Sequence, residues 1–241
     1  LSEAGFRCIT YDRRGFGRSS KPAKGYDYGT LAGDLSALLE KLDLRNATLV
    51  GFSMGGGEVA EYLSRHGSTG RVSRAVLVAS SVPYLLKTAD NPEGVEMSVF
   101  DEMRDGLRRD RPAFLTDFVK GFFGVSLLSS PISDSFLAAT CEVAMQASPI
   151  ATLACVRSFS ETDLRAAARN IAVPTLVIHG DADATVPIAA SGKAATELIP
   201  DAELEIYEGA PHGLTYTHRD RLNRDLAAFV SEGRVVLPEL A

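Results

Sequence analysis

Residues 51–55 read Gly-Phe-Ser-Met-Gly, which is the G-x-S-x-G pattern of a nucleophile elbow. The β-forming residues 47–50 predict a strand directly before it, and the small residues 55–64 predict a helix directly after it. We expect glycine at both ends of the motif because a side chain there would collide with the neighbouring strand or helix. The context predicts that Ser53 is a catalytic nucleophile held at positive φ, rather than an incidental serine in a turn.

A serine hydroxyl is a weak nucleophile and needs a general base, which in turn needs an orienting carboxylate. Among the four histidines, His212 lies in the segment Ala-Pro-His-Gly, after the last predicted strand and before the final helix. We therefore predict that His212 is the base. His66 is expected at the surface, His179 inside a buried strand as a core or supporting group, and His218 at a helix start.

The acid is expected after the strand that precedes His212, in residues 177–187 (VIHGDADATVP). Asp181 directly follows a glycine and is suited to shaping the turn by accepting backbone N–H groups. Asp183 lies two residues further out, at a loop tip that can face the imidazole. We favour Asp183 over Asp181, and the chain order Ser53, Asp183, His212 is one of the known orders of a serine triad.

Strands alternate with helices along most of the chain, which predicts an α/β fold with a mostly parallel sheet covered by helices on both faces. The predicted strands cover residues 6–11, 47–50, 75–79, 175–179 and 203–207. Helical patterns follow at 30–42, 55–64, 95–109, 113–123, 133–147, 151–157, 162–170, 188–199 and 219–230.

Helical pieces separated by prolines dominate the middle of the chain. We predict three regions: residues 1–80, the N-terminal part of the core with the elbow; residues 81–170, a helical lid; and residues 171–241, the C-terminal part of the core with the acid and the histidine. A lid over the carboxyl ends of the strands would cover the edge where ligands bind.

The composition excludes several classes of protein. A net charge of −6 argues against binding to nucleic acid or to an anionic membrane surface, which requires clustered basic residues. No apolar run approaches the ~20 residues of a membrane span. The odd number of cysteines, three, with no C-x-x-C pair, argues against a disulfide framework or a zinc site and favours the cytoplasm.

Four segments together carry a resemblance to a known family: residues 11–22 (YDRRGFGRSSKP), 48–63 (TLVGFSMGGGEVAEYL), 173–187 (VPTLVIHGDADATVP) and 207–214 (YEGAPHGL). They resemble the cofactor-free bacterial chloroperoxidases, also called non-haem haloperoxidases or perhydrolases, of the α/β-hydrolase superfamily. The resemblance covers nearly the whole chain and is weakest in the predicted lid.

This resemblance implies a serine esterase that also forms a peracid from a carboxylic acid and hydrogen peroxide, with no metal, haem or other cofactor. The expected partners are therefore a small-molecule ester or carboxylic acid and possibly hydrogen peroxide, and a homo-oligomer remains open. The family's acid corresponds to the second Asp of Gly-Asp-x-Asp, which also favours Asp183.

In this fold one oxyanion donor is the backbone N–H after the nucleophile, here that of Met54. The family's second donor lies in a His-Gly loop after its third strand, which with the opening hairpin has no counterpart in this sequence. We therefore expect the N-terminal strands to be missing and the chain to be a fragment of a longer one.

The same triad also serves lactonases and C–C bond hydrolases, so both remain alternatives. From other classes, a non-catalytic small-molecule receptor and an inactive fragment remain open. The predicted lid is rich in phenylalanine, which indicates either an apolar substrate pocket or simply the lid's own core. These residues are Phe100, Phe114, Phe118, Phe122, Phe123, Phe136 and Phe159.

Overall fold

The computed structural model describes residues 1–126 and 129–232. Within these residues one parallel sheet has the strand order β1-β2-β3-β4, so each strand pairs with its neighbour in the sequence. Because the strands are parallel, their carboxyl ends all lie at the same edge of the sheet. The strands are β1 (Ala47–Phe52), β2 (Val72–Val78), β3 (Thr175–Gly180) and β4 (Ala202–Tyr207).

Helices precede, connect and follow the strands, as the alternating pattern predicts. A 3₁₀ turn at Gly67–Thr69 follows α2, and a π-helical turn at Ala189–Lys193 precedes α8. The α-helices are α1 (Tyr28–Lys41), α2 (Met54–His66), α3 (Met97–Arg109), α4 (Arg111–Phe122), α5 (Asp134–Met145), α6 (Pro149–Glu161), α7 (Arg165–Arg169), α8 (Ala194–Leu198), α9 (Leu214–Thr217) and α10 (Arg219–Glu232).

Both faces of the sheet are covered, and β2 illustrates how. Ala75 and Leu77 pack into a cluster that includes buried residues of α1, α2, α7 and α8. Val76 and Val78 point the other way, into a cluster with residues of α10. Successive side chains of a strand alternate between the faces, so a strand that is buried on both faces reads as a continuous apolar run.

Helices α3 to α7 occupy the chain between β2 and β3, and we call them the helical insert. Its own apolar cluster includes Phe100 of α3, Leu115 of α4 and Val156 of α6. The Arg111 guanidinium, at the start of α4, donates to the carbonyl oxygens of Ala144 and Ala147 near the end of α5. The insert is therefore held together both by packing and by hydrogen bonds to a helix C-terminus.

The predicted strand at residues 6–11 is wrong for the structure described here. The segment forms no β-ladder with any described strand, and the side chains of Ile9 and Tyr11 are 39% and 44% exposed. Its β-forming residues predict an extended backbone, but a strand also needs a hydrogen-bonded neighbour. Val50 of β1, the strand at one end of the strand order, is 49% exposed.

No single helix in the described part of the chain is long and apolar enough to cross a bilayer. Helices α5 and α6 reach that length and composition only as a pair, and they meet at a bend of 97°.

Glycine at position 57 lets α2 approach α1 closely. A Cβ atom at Gly57 would overlap the ring of Tyr28, which is 2% exposed at the first position of α1. By contrast, a Cβ atom at Gly33, in the middle of α1, would have no neighbour within 4 Å.

We therefore expect opposite effects from two matched helix substitutions. Gly57→Ala should lower the free energy of unfolding by about 1–3 kcal/mol because the added methyl group overpacks the contact with Tyr28. Gly33→Ala should raise it by about 0.5–1 kcal/mol because alanine favours the helix. Urea unfolding of both variants checks this, and a stabilised Gly57→Ala variant would contradict the close packing of α1 and α2.

Candidate active site

The backbone of Ser53 has φ 53° and ψ −123°, between the last residue of β1 and the first of α2. An L-residue rarely adopts positive φ, so surrounding hydrogen bonds must hold it there. The Ser53 N–H donates to the carbonyl oxygen of Val78 at 2.9 Å, and the Ser53 carbonyl oxygen accepts from the N–H groups of Gly56 at 3.0 Å and Ser81 at 3.3 Å. The elbow is thus fixed to the end of β2.

The two glycines of the motif have different roles. A Cβ atom at Gly51 would lie 2.5 Å from the Gly55 carbonyl oxygen, so a side chain at 51 would collide with the start of α2, as expected. At Gly55 the expectation is wrong, because a Cβ atom there would meet only the Arg13 side chain at an ordinary 3.6 Å. The close approach occurs instead at Gly56, where a Cβ atom would overlap Ser80.

The structure brings Ser53, His212 and Asp183 together. His212 Nδ1 lies 2.7 Å from Asp183 Oδ2, and His212 Nε2 lies 2.9 Å from Ser53 Oγ. A carboxylate only accepts hydrogen bonds, so Nδ1 carries the proton and, in the neutral ring, Nε2 accepts from the Ser53 hydroxyl. This arrangement can move a proton from Ser53 Oγ to His212.

Asp183 is buried and its carboxylate is surrounded by donors. Oδ1 accepts the backbone N–H groups of Thr185 at 2.9 Å and Val186 at 2.8 Å. Burial alone would raise the pKa of Asp183, but the hydrogen bonds from His179, His212 and Val186 outweigh it and lower the pKa to about 2. Asp183 is therefore ionised at neutral pH and can orient His212.

Asp181 lies apart from this network. Its exposed carboxylate accepts the Gly209 backbone N–H at 2.6 Å. The expectation that Asp181 accepts backbone hydrogen bonds agrees with this contact, but the donor belongs to the loop after β4 rather than to Asp181's own turn. Asp181 thus ties the loop that carries His212 to the end of β3.

The other three histidines make contacts elsewhere than with Ser53. His66 is half-buried and stacks on Tyr62, whereas His218 directly precedes α10 and bonds to its neighbour Thr217. His179 is fully buried in β3 beside Asp183. Among residues 1–126 and 129–232, no three His, Cys, Asp or Glu side chains are grouped so as to hold a metal ion.

Two phenylalanines flank the His212 ring, and the sequence did not single out either. The ring centroids of Phe52 and Phe122 lie 5.1 Å and 4.8 Å from that of His212, and Phe122 meets it edge-on. The Gly213 N–H also donates to the Phe122 carbonyl oxygen at 2.7 Å. The end of α4 therefore contacts the histidine loop through both ring and backbone.

The sequence patterns also gave no sign that Glu58 of α2 is buried. Glu58 is 3% exposed and accepts from Arg13 Nε at 2.7 Å and from the Tyr11 hydroxyl. These contacts fasten the loop after residue 11 to the helix that begins at the elbow. No motif at Glu58 indicated this, since an acidic residue in a helix is most often solvated.

Met54 is the first residue of α2, next to Ser53. The first N–H groups of an α-helix have no partner inside the helix, and they carry the positive end of the helix dipole. The Met54 N–H is thus a candidate donor for negative charge that develops beside Ser53.

Comparison with known proteins identifies the fold family. Residues 1–218 match the model of the α/β-hydrolase fold family. The chain belongs to the α/β-hydrolase family. The fold and the enzyme class expected from the sequence are therefore confirmed.

Its relatives include non-haem chloroperoxidases and an esterase/perhydrolase. A Synechocystis protein provisionally named a non-heme chloroperoxidase is 50% identical over 231 residues, 95% of this chain and 83% of its own. A bifunctional esterase/perhydrolase of Acinetobacter calcoaceticus is 37% identical over 94% of this chain and 82% of its own. The crystal structure of a bromoperoxidase from Bacillus anthracis superposes with a TM-score of 0.92 at 47% identity, covering 95% of this chain and 83% of that one.

The low pKa of Asp183 predicts a specific pH dependence of stability. Its folded-state pKa of about 2 lies below the unfolded value of about 3.9, so its stabilisation is present above about pH 4 and is lost as the pH falls through about 2. Between pH 6 and pH 2.5, the free energy of unfolding of the wild type should fall on the order of 1–2 kcal/mol more than that of Asp183→Asn.

Urea unfolding across this pH range measures the difference. Asp181→Asn is the matched control, because it changes an exposed carboxylate in the same loop and should keep the wild-type acid sensitivity. Equal losses in wild type and Asp183→Asn would show that Asp183 is not the source of that sensitivity.

Proposed function

We propose that this enzyme hydrolyses small carboxylic esters through an acyl-enzyme on Ser53, with His212 as general base and Asp183 orienting His212. The observation that carries the proposal is the continuous pair of hydrogen bonds through the three side chains, at 2.9 Å and 2.7 Å. A base within hydrogen-bond reach of the proton that it abstracts meets the geometric condition for general-base catalysis.

In the first half of the reaction, Ser53 Oγ attacks the ester carbonyl carbon and its proton passes to His212 Nε2. The carbonyl electron pair moves onto the oxygen to give a tetrahedral intermediate. As that intermediate collapses, the bond to the alcohol oxygen breaks and His212 gives its proton to the departing alcohol. The acyl group then remains on Ser53, and Asp183 has stabilised the transient imidazolium.

In the second half, water takes the place of the alcohol. His212 removes a proton from water as its oxygen attacks the acyl carbon, and the collapse of the second intermediate returns the proton to Ser53 Oγ. The products are a carboxylic acid and the free enzyme.

The backbone N–H of Met54 is the proposed donor to the oxyanion of both intermediates. Its place at the start of α2 supports this role, because an unpaired helix N–H and the helix dipole both favour negative charge.

Hydrogen peroxide in place of water would make the acyl-enzyme yield a peracid. The peroxide oxygen forms the new bond to the acyl carbon and Ser53 leaves with the proton, so this transfer needs no change of oxidation state. The peracid then oxidises halide away from the protein. The names of the relatives, which include both chloroperoxidase and bifunctional esterase/perhydrolase, support this branch.

The aromatic surroundings of His212 support an apolar acyl or alcohol group in the substrate. Phe52 and Phe122 lie against the imidazole, and Phe122 in turn contacts Phe118 and Phe123. Apolar rings beside a reacting carbonyl exclude water and favour small hydrophobic esters over charged substrates.

Substitution of the nucleophile tests the proposal. With p-nitrophenyl acetate, Ser53→Ala should lower kcat/KM at least about 10⁴-fold, because the acyl-enzyme cannot form. The same variant should also lose peracetic acid formation from acetate and hydrogen peroxide, because both activities use one intermediate.

Ser64→Ala, near the far end of the same helix, is the control and should retain wild-type rates. Turnover that survives Ser53→Ala would reject the nucleophile. Ester hydrolysis without any peracid in the wild type would reject the peroxide branch and leave the esterase.

A further inference from the structure

His179 lies at the junction of β3 and the loop that carries Asp183. It is 0% exposed, and its Nε2 lies 2.9 Å from the Val186 carbonyl oxygen and 3.3 Å from Asp183 Oδ2. Both neighbours are acceptors, so Nε2 must carry a proton. The positive end of the Nε2–H dipole therefore faces both the turn and the carboxylate.

The opposite side of the ring fixes which nitrogen carries the proton. His179 Nδ1 is buried without a hydrogen-bond partner, and it faces Gly192 in the π-helical turn. A Cβ atom at Gly192 would lie 2.8 Å from Nδ1. A proton on Nδ1 would be an unpaired N–H in this buried site, so the ring carries its proton on Nε2.

His179 also closes a ring of contacts around the Asp183 side chain. The Val186 N–H donates to Asp183 Oδ1 at 2.8 Å, while the Val186 carbonyl oxygen accepts from His179. Asp183 Oδ2 is shared between His212 at 2.7 Å and His179 at 3.3 Å. Both carboxylate oxygens therefore have donors. The His179 N–H dipole offsets part of the negative charge that Asp183 Oδ2 presents to His212.

We propose that His179 is a positioning residue that fixes the Asp183 carboxylate and tempers its pull on the proton of His212. This inference rests on the proposed function of Ser53, His212 and Asp183. Among the described residues, the titratable groups that act on Asp183 are His179 from β3 and His212 from the loop after β4. The π-helical turn packed against His179 presents Gly192 to the ring.

The consequence concerns the pH dependence of activity. An Asp183 carboxylate without the His179 dipole would stabilise protonated His212 more strongly, so His212 would act as a base only at higher pH. A purely structural role for His179 would instead lower the rate by a similar factor at every pH.

The test compares two substitutions across pH. His179→Leu removes the donor at similar volume, and the acid limb of its kcat/KM profile should move to higher pH by about half a unit to one unit. His179→Gln retains a side-chain N–H near the Nε2 position and should keep the limb close to its wild-type position. A uniform loss at all pH values in His179→Leu, or an equal displacement in His179→Gln, would overturn the proposal.

A measurement on the unmodified enzyme covers the case in which His179→Leu does not fold. With ¹⁵N-labelled histidine, NMR at pH 7 should find the proton of His179 on Nε2, with assignment aided by His66→Gln and His218→Gln. A proton on Nδ1 would overturn the proposal. This measurement needs no turnover, so its outcome is independent of whether Ser53→Ala rejects the proposed function.

Discussion

The backbone of Ser53 is held at φ 53° by hydrogen bonds to the end of the neighbouring strand, and the proposed chemistry depends on that turn. Register explains why the support exists. Phe52 of β1 pairs with Val78 of β2, so the residues just after β2 lie beside the elbow and supply the Ser81 N–H. The missing side chain at Gly51 then lets α2 begin immediately after the serine.

From this turn the site extends across the sheet. Asp183 follows β3 and His212 follows β4, so parallel strands bring residues far apart in the sequence to one edge. A series of hydrogen bonds then links the three side chains. Backbone N–H groups hold Asp183, Asp183 holds His212, and His212 Nε2 lies 2.9 Å from Ser53 Oγ. The helical insert contacts these residues through Phe122, whose ring meets the His212 ring.

The parts of the site that depend on local pattern were predictable from the sequence. G-x-S-x-G between a strand and a helix placed Ser53, and the flanking proline and glycine distinguished His212 from the other histidines. The alternation of strands and helices predicted the parallel sheet. Asp183 was favoured over Asp181 by its distance from the strand end, and the structure puts only Asp183 beside the imidazole.

The parts that depend on a partner distant in the sequence were not predictable. Residues 6–11 have β-forming side chains, but pairing depends on a neighbour that local pattern does not reveal. Gly55 looked sterically required, whereas the close approach is at Gly56 because Ser80 lies across from it. Phe122 was one phenylalanine among several in the insert, and nothing in its local sequence indicated contact with His212.

Covalent labelling of the nucleophile tests the central claim most directly. Diethyl p-nitrophenyl phosphate should phosphorylate Ser53, with His212 accepting the hydroxyl proton and p-nitrophenolate leaving. Mass spectrometry should then find one diethylphosphoryl group per chain, on the peptide that contains Ser53, and none in Ser53→Ala. Label on a different residue, or an unlabelled protein that still hydrolyses esters, would contradict the account.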